Sequence, residues 1–133
     1  MALPNSGGGY QNTDGNVNEL VIGVQPAPQT ATSTATLTAA QVTGGLLVAN
    51  PSTSAATYTT PTAAQIEAVI TNAKTNSTFG LGIINLGTSS GALTISPGTG
   101  ITIVGSATVA ITSSARYLFR KTGDAAWTAY RVS

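Results

Sequence analysis

Apolar positions in this chain fall in short runs separated by clusters of Gly, Pro, Asn and Ser. Such runs, bounded by turn residues, read as strands. They fall at residues 19–24, 30–38, 46–49, 79–86, 92–95, 101–104, 107–112, 115–120 and 126–132. Strict alternation in Ile101/Ile103, Val109/Ile111 and Tyr117/Phe119 gives these strands one inward face. In the second half the breaks at Ser96-Pro97-Gly98-Thr99-Gly100, Gly105-Ser106, Ser113-Ser114 and Lys121-Thr122-Gly123-Asp124 are spaced like hairpin turns. No internal repeat of fixed period is expected.

One stretch departs from this pattern. Ala63, Ile66, Val69, Ile70 and Ala73 recur at helical spacing and form one apolar stripe, with Ile66, Val69 and Ile70 as its core-facing residues. Thr60 is placed to cap this helix and Pro61 to occupy its first position. Glu67 and Lys74 suit the positive and negative ends of its dipole. A helix over about 61–74 must bury its stripe on β-structure. The expected fold is mainly β, a sandwich or jelly-roll-like barrel with one short helix.

Residues 1–18 differ from both patterns. Asn5-Ser6-Gly7-Gly8-Gly9 and Gln11-Asn12-Thr13-Asp14-Gly15-Asn16 oppose helix and strand alike, so a flexible arm is expected there, preceding one β-rich domain at 19–133. Tyr10 is its only large side chain. Ordering such a segment costs about 1–2 kcal/mol per residue, which a partner surface must supply. Tyr10, Asn12, Asp14 and Asn16 are therefore the candidates for binding a partner.

Composition narrows the function. Only 7% of the 133 residues are charged, against about 25% in ordinary soluble domains, and the net charge is +1. Ser and Thr supply most of the polarity. A polar, nearly uncharged surface suits a protein that lies against others, and it also suits a Thr-rich β-domain with no such role. With no Cys and no His, disulfides, thiolate chemistry and the usual zinc ligands are excluded. A charge of +1 makes no electrostatic case for nucleic acid, and no apolar segment approaches the roughly 20 residues of a membrane helix. Met1-Ala2-Leu3-Pro4-Asn5 lacks the basic start and apolar run of a signal peptide.

Short matches to catalytic motifs do not survive their context. Lys121-Thr122-Gly123 has no Ser-x-x-Lys to accompany it, and a turn between the last two strands is preferred. Gly98-Thr99-Gly100 enters a strand, not a helix, and reads as a loop. Asn76-Ser77-Thr78 is a formal glycosylation sequon, better read as a turn, and residues 12–16 lack the acidic ligands of a calcium loop. Four scattered carboxylates offer no acid–base pair, so no enzyme and no cofactor is expected. Tyr117, Trp127 and Tyr130 could form a sugar platform, but core or subunit contact is the preferred reading. Arg116 and Arg120 share one face of their strand, as a solvated or inter-subunit pair.

Five stretches taken together resemble a known group. They are Leu37-Thr38-Ala39-Ala40-Gln41-Val42-x-Gly44-Gly45-Leu46-Leu47-Val48, Thr57-Tyr58-Thr59-Thr60-Pro61-Thr62-Ala63-Ala64, Ile83-Ile84-Asn85, Gly100-Ile101-Thr102-Ile103-Val104-Gly105 and Ala126-Trp127-Thr128-Ala129-Tyr130. The chain resembles small β-rich virion proteins of tailed bacteriophages, above all capsid decoration (cement) proteins. The resemblance implies a homotrimer on the outside of a phage head, made in the host cytoplasm and bound to the major capsid protein. It also implies an N-terminal arm laid across the capsid lattice. Arg116, Tyr117, Trp127 and Tyr130 are then the candidate subunit contacts. A glycan- or receptor-binding module of a head or tail fibre is the alternative, and it requires exposed aromatic rings near Trp127.

Overall fold

The computed structural model describes residues 22–133, and the protein is mainly β. In chain order the first elements are β1 (Gln29–Ala31), β2 (Ala35–Thr36), α1 (Ala39–Thr43), β3 (Leu46–Ala49), β4 (Ala56–Thr59) and α2 (Ala63–Val69). They are followed by β5 (Thr78–Asn85), β6 (Leu93–Ser96), β7 (Ile101–Val104), β8 (Thr108–Val109), β9 (Ser114–Gly123) and β10 (Ala126–Arg131). A six-stranded sheet has the order β1-β3-β5-β9-β10-β7, and a four-stranded sheet the order β2-β4-β6-β8.

From β1 to β8 the chain therefore alternates between the sheets, strand by strand. The early neighbours within each sheet are parallel: Gln29 lies opposite Leu47 and Leu46 opposite Gly82, while Ala35 lies opposite Tyr58 and Ala56 opposite Leu93. Parallel neighbours need a long crossover. Here the crossover of one sheet contains a strand of the other, so the chain winds as a coil. The hairpin reading of the second half holds for β9 and β10, which pair antiparallel, and is corrected at the earlier breaks by this route. β6 and β7 flank the 97–100 loop yet lie in different sheets. Gly98 donates its N–H to Thr60 Oγ1 at 2.7 Å, and a Cβ there would stand 2.4 Å from the Thr60 carbonyl. The loop thus leans on the end of β4 and carries the chain across the body, not back along β6.

The helices occupy equivalent places on the coil, each between a strand of the smaller sheet and one of the larger. Both start from the same reciprocal cap, in Thr38-Ala39-Ala40-Gln41 and in Thr62-Ala63-Ala64-Gln65. The threonine hydroxyl accepts the glutamine N–H at 3.2 Å in each, and the glutamine side chain accepts the threonine N–H at 2.8 and 2.9 Å. Each helix then sends one branched side chain into the core, Val42 and Ile66. This recurrence spans unequal coil lengths, which is why no fixed period appears.

One helix was expected and two are present among the described residues, α1 having been missed, and the expected one was too long at both ends. Its cap is Thr62, not Thr60, and it ends at Val69, because Ile70 leaves the helical region with φ −103° and ψ 76°. Ile70 and Thr71 are β-branched and Asn72 follows, a poor sequence for another turn. Lys74 consequently lies beyond the helix. Ile66 is fully buried and Ile70 half-buried, but Val69 is 55% exposed, so its assignment to the core is corrected. On so short a helix only the line of Ala63 and Ile66 is covered, and Val69 overhangs it.

Inward residues of both sheets share one core, including Leu47, Tyr58, Leu81, Ile83, Leu93 and Phe119. Phe79 stacks on Phe119 with centroids 4.8 Å apart and tilts against Trp127 at 5.4 Å. Asn85 is buried yet fully used: its amide donates to the carbonyls of Gly91, Val109 and Ala110, and its oxygen accepts from Gly87 N–H. Three strand expectations fail locally. Residues 30–38 hold parts of two short strands, β1 and β2, in different sheets, and not one strand. Ile22 and Val24 belong to no strand, and Ile111 lies outside β8 and is exposed.

Candidate assembly surface

The outer face of the six-stranded sheet is built by strand alternation. On β9, Ala115, Tyr117, Phe119 and Lys121 point inward and are buried, so Ser114, Arg116, Leu118 and Arg120 point outward. Cross-strand register carries that face across the sheet. Gly80, Leu118, Tyr130 and Val104 form one row, and Leu46, Gly82 and Arg116 the next. Val48 and Ile84 lie opposite each other beyond it. Ile84, Leu118 and Val104 are exposed apolar side chains on a face that strands alone would leave to solvent. Leu86 extends this apolar strip into a shallow depression lined also by Ile84, Asn85 and Thr112.

Two arginines stand on this face and behave differently. Arg120 is held: its Nε and Nη2 donate to the Tyr130 hydroxyl at 3.1 and 2.9 Å, and its Nη1 to Asn76 Oδ1 at 2.8 Å. Asn76 itself sits in a turn at φ 75°, in agreement with the turn reading of its sequon. Arg116 is exposed and makes no ion pair among the described residues. Its guanidinium folds over Gly80, where a Cβ would meet Nη2 at 2.5 Å. Gly80 leaves the space that this guanidinium covers, while Leu46 lies over Gly82.

The predicted contact residues are thus divided. Arg116 and Tyr130 are on the outer face, Tyr130 half-buried. Trp127 and Tyr117 are each 1% exposed, and their place among the subunit contacts is corrected. Trp127 points inward on β10, and its Nε1 donates to Glu67 Oε2 on α2 at 3.1 Å. The Tyr117 hydroxyl donates to the Ser106 carbonyl at 2.8 Å. Tyr10, Asn12, Asp14 and Asn16 lie outside the described residues.

Sequence reasoning missed the polar lock beneath α2. Glu67 Oε1 lies 3.5 Å from Lys121 Nζ, which also donates to the Ala73 carbonyl at 3.2 Å. Lys121 is a buried strand residue, not part of a turn, and the turn between β9 and β10 is Asp124-Ala125. Glu67 is too far into the helix to serve its dipole. Among the described residues no group of three or more His, Cys, Asp or Glu is placed to hold a metal ion. The geometry defines a mainly β body whose six-stranded sheet leaves its outer face uncovered and, among the described residues, without a carboxylate. Comparison with protein-family models, with curated proteins and with solved structures finds no match to this chain.

Proposed function

We propose that the chain is a virion structural protein, a capsid decoration (cement) protein that binds the outside of a phage head as a homotrimer. The observation that carries this reading is the outer sheet face, apolar and floored with glycine, on a chain with few charges. The resemblance of residues 37–130 to β-rich phage virion proteins points the same way. A sandwich of the two sheets, sharing one core, is the corresponding finer architecture. In this role the trimer bridges neighbouring capsid subunits, and the arm with Tyr10, Asn12, Asp14 and Asn16 orders on the shell. Interfaces of about 1,600 Å² are ordinary, and several per trimer give avidity without strong single contacts. No catalysis and no cofactor is part of the proposal.

The alternative, a glycan-binding fibre module, loses its main support. A sugar platform needs exposed rings, and Trp127 and Tyr117 are buried with their polar atoms already bonded. Negative-stain images of virions labelled for this protein test the proposal. A regular lattice of labelled knobs on the head is expected, and label confined to a few fibres refutes it.

A further inference from the structure

The outer face carries Arg116 and Arg120 and no carboxylate. Of the four acidic residues in the chain, Glu67 is engaged with Lys121 and Trp127, and Asp124 sits in the β9–β10 turn. The other two, Asp14 and Glu19, precede the described residues. Two copies meeting face to face would set arginines against arginines, an arrangement like charges disfavour. The face fits an apolar strip that brings its own carboxylate.

The chain holds such a strip. Glu19-Leu20-Val21-Ile22-Gly23-Val24 joins one carboxylate to a run of β-forming residues. Its described end stands clear of its own body: Ile22 is 76% and Val24 97% exposed, and a Cβ at Gly23 would meet nothing within 4 Å. The next residue is fastened. Gln25 Nε2 donates to the Gly44 carbonyl at 2.6 Å, and the adjoining Gly45 carbonyl accepts from Gly82 N–H at 2.9 Å. The segment therefore leaves from the rim of the outer face, beside the row of Leu46, Gly82 and Arg116. The six residues from Glu19 to Val24, extended, reach about 20 Å, most of the roughly 24 Å across six strands.

We propose that residues 19–24 of one copy lie on the outer face of the six-stranded sheet of a second copy, with Glu19 paired to Arg116 and Val21, on the same side of the extended segment, against Ile84 and Leu118. The contact is heterologous, segment to face, and repeating it around a ring closes a cyclic oligomer. The inference rests on the reading of this chain as a self-assembling protein, and it leaves residues 2–16 free for the capsid. Its success or failure is independent of where label falls on virions.

The absence of cysteine makes the test direct. Glu19→Cys and Arg116→Cys chains, co-expressed and oxidised, are expected to form a disulfide-linked pair containing one of each. Glu19→Cys with Thr57→Cys, an exposed position on the four-stranded sheet, is expected to form at least tenfold less. A chain carrying both Glu19→Cys and Arg116→Cys should give a ladder ending at the size of the native oligomer. Arg116→Glu should weaken self-association by on the order of tenfold, and adding Glu19→Arg to the same chain should restore it. Circular dichroism of each variant confirms that the body is folded. A double-cysteine chain that closes only on itself overturns the proposal by assigning the face to its own segment. A folded wild-type monomer, or equal trapping at Thr57, overturns it as well.

Discussion

Replacing Glu67 separates two contributions that meet on one side chain. Gln at this position keeps an oxygen for the Trp127 N–H, which is 3.1 Å from Oε2, but removes the charge opposite Lys121. Lys121 then remains charged with 11% of its side chain exposed and only the Ala73 carbonyl as partner. Hydrogen bonds to charged groups contribute about 1.5–3 kcal/mol, and breaking a fully buried pair costs about 3–5 kcal/mol. Because the Glu67 side chain is 23% exposed, water moderates the loss, and Glu67→Gln is expected to cost about 1–2 kcal/mol. Glu67→Ala also leaves the buried indole N–H without an acceptor, adding about 1–3 kcal/mol. The double variant Glu67→Gln/Lys121→Met should recover part of the loss, since no unpaired charge remains. Urea unfolding followed by the fluorescence of the single Trp measures all of these, with an unchanged m value. If Glu67→Gln and Glu67→Ala both fall within about 0.5 kcal/mol of wild type, the lock under α2 contributes nothing. Equal, large losses would instead show that the charge alone matters and the Trp127 bond does not.

Two further outcomes follow from the packing of α2 and of the smaller sheet. Ile66→Ala should cost about 2–5 kcal/mol while Val69→Ala stays within about 0.5 kcal/mol, and equal effects in thermal melts would refute the docking described. Burial pushes the Tyr58 phenol above its ordinary value of 10.0, with its hydroxyl donating to the Thr32 carbonyl at 3.0 Å. The native state therefore keeps this proton longer than the unfolded chain, so stability is fully present below pH 10 and falls as pH rises through the higher native value. Tyr58→Phe should be less steeply destabilised in that alkaline range, and unchanged steepness of unfolding against pH would count against burial as the cause.

Much of the strand content was legible, because alternation in Tyr117/Phe119 and Ile101/Ile103 reports directly on which side chains face a core. The route between strands was not. Pro97, Gly98 and Gly100 signal that the chain changes direction, and they do so equally for a hairpin and for a crossing to another sheet. What distinguishes the two is the Gly98 N–H meeting Thr60, a contact between residues 38 apart in sequence. The helix start was written twice, as Thr-Ala-Ala-Gln, but Pro61 draws attention to a cap two residues too early. Lys121 was misread for a similar reason, since Lys-Thr-Gly-Asp has the composition of a turn while the acceptors that bury its ammonium lie on α2 and at Ala73. The uncovered face was half visible in Arg116, Leu118 and Arg120. Its floor was hidden, because Gly80 and Gly82 look like strand breakers until β9 is laid beside them.

The place of the final hairpin has consequences for how the molecule comes into being. β9 and β10 follow the other described strands in sequence, yet they lie inside the larger sheet, with β5 on one side and β7 on the other. Within that sheet the β1-β3-β5 half and the β7 strand therefore have no strand joining them until β9 and β10 are in place. The pairings of the coil are long-range, and such contacts form slowly, whereas β9 and β10 share a short turn and can pair within microseconds. Folding should accordingly start at this hairpin and wind backwards, with β1 and β2 added last. A stop codon that removed only β10 would not trim an edge. It would strand β7 and leave β9 as an open template for other chains, so a product truncated there should aggregate rather than behave as a slightly smaller protein.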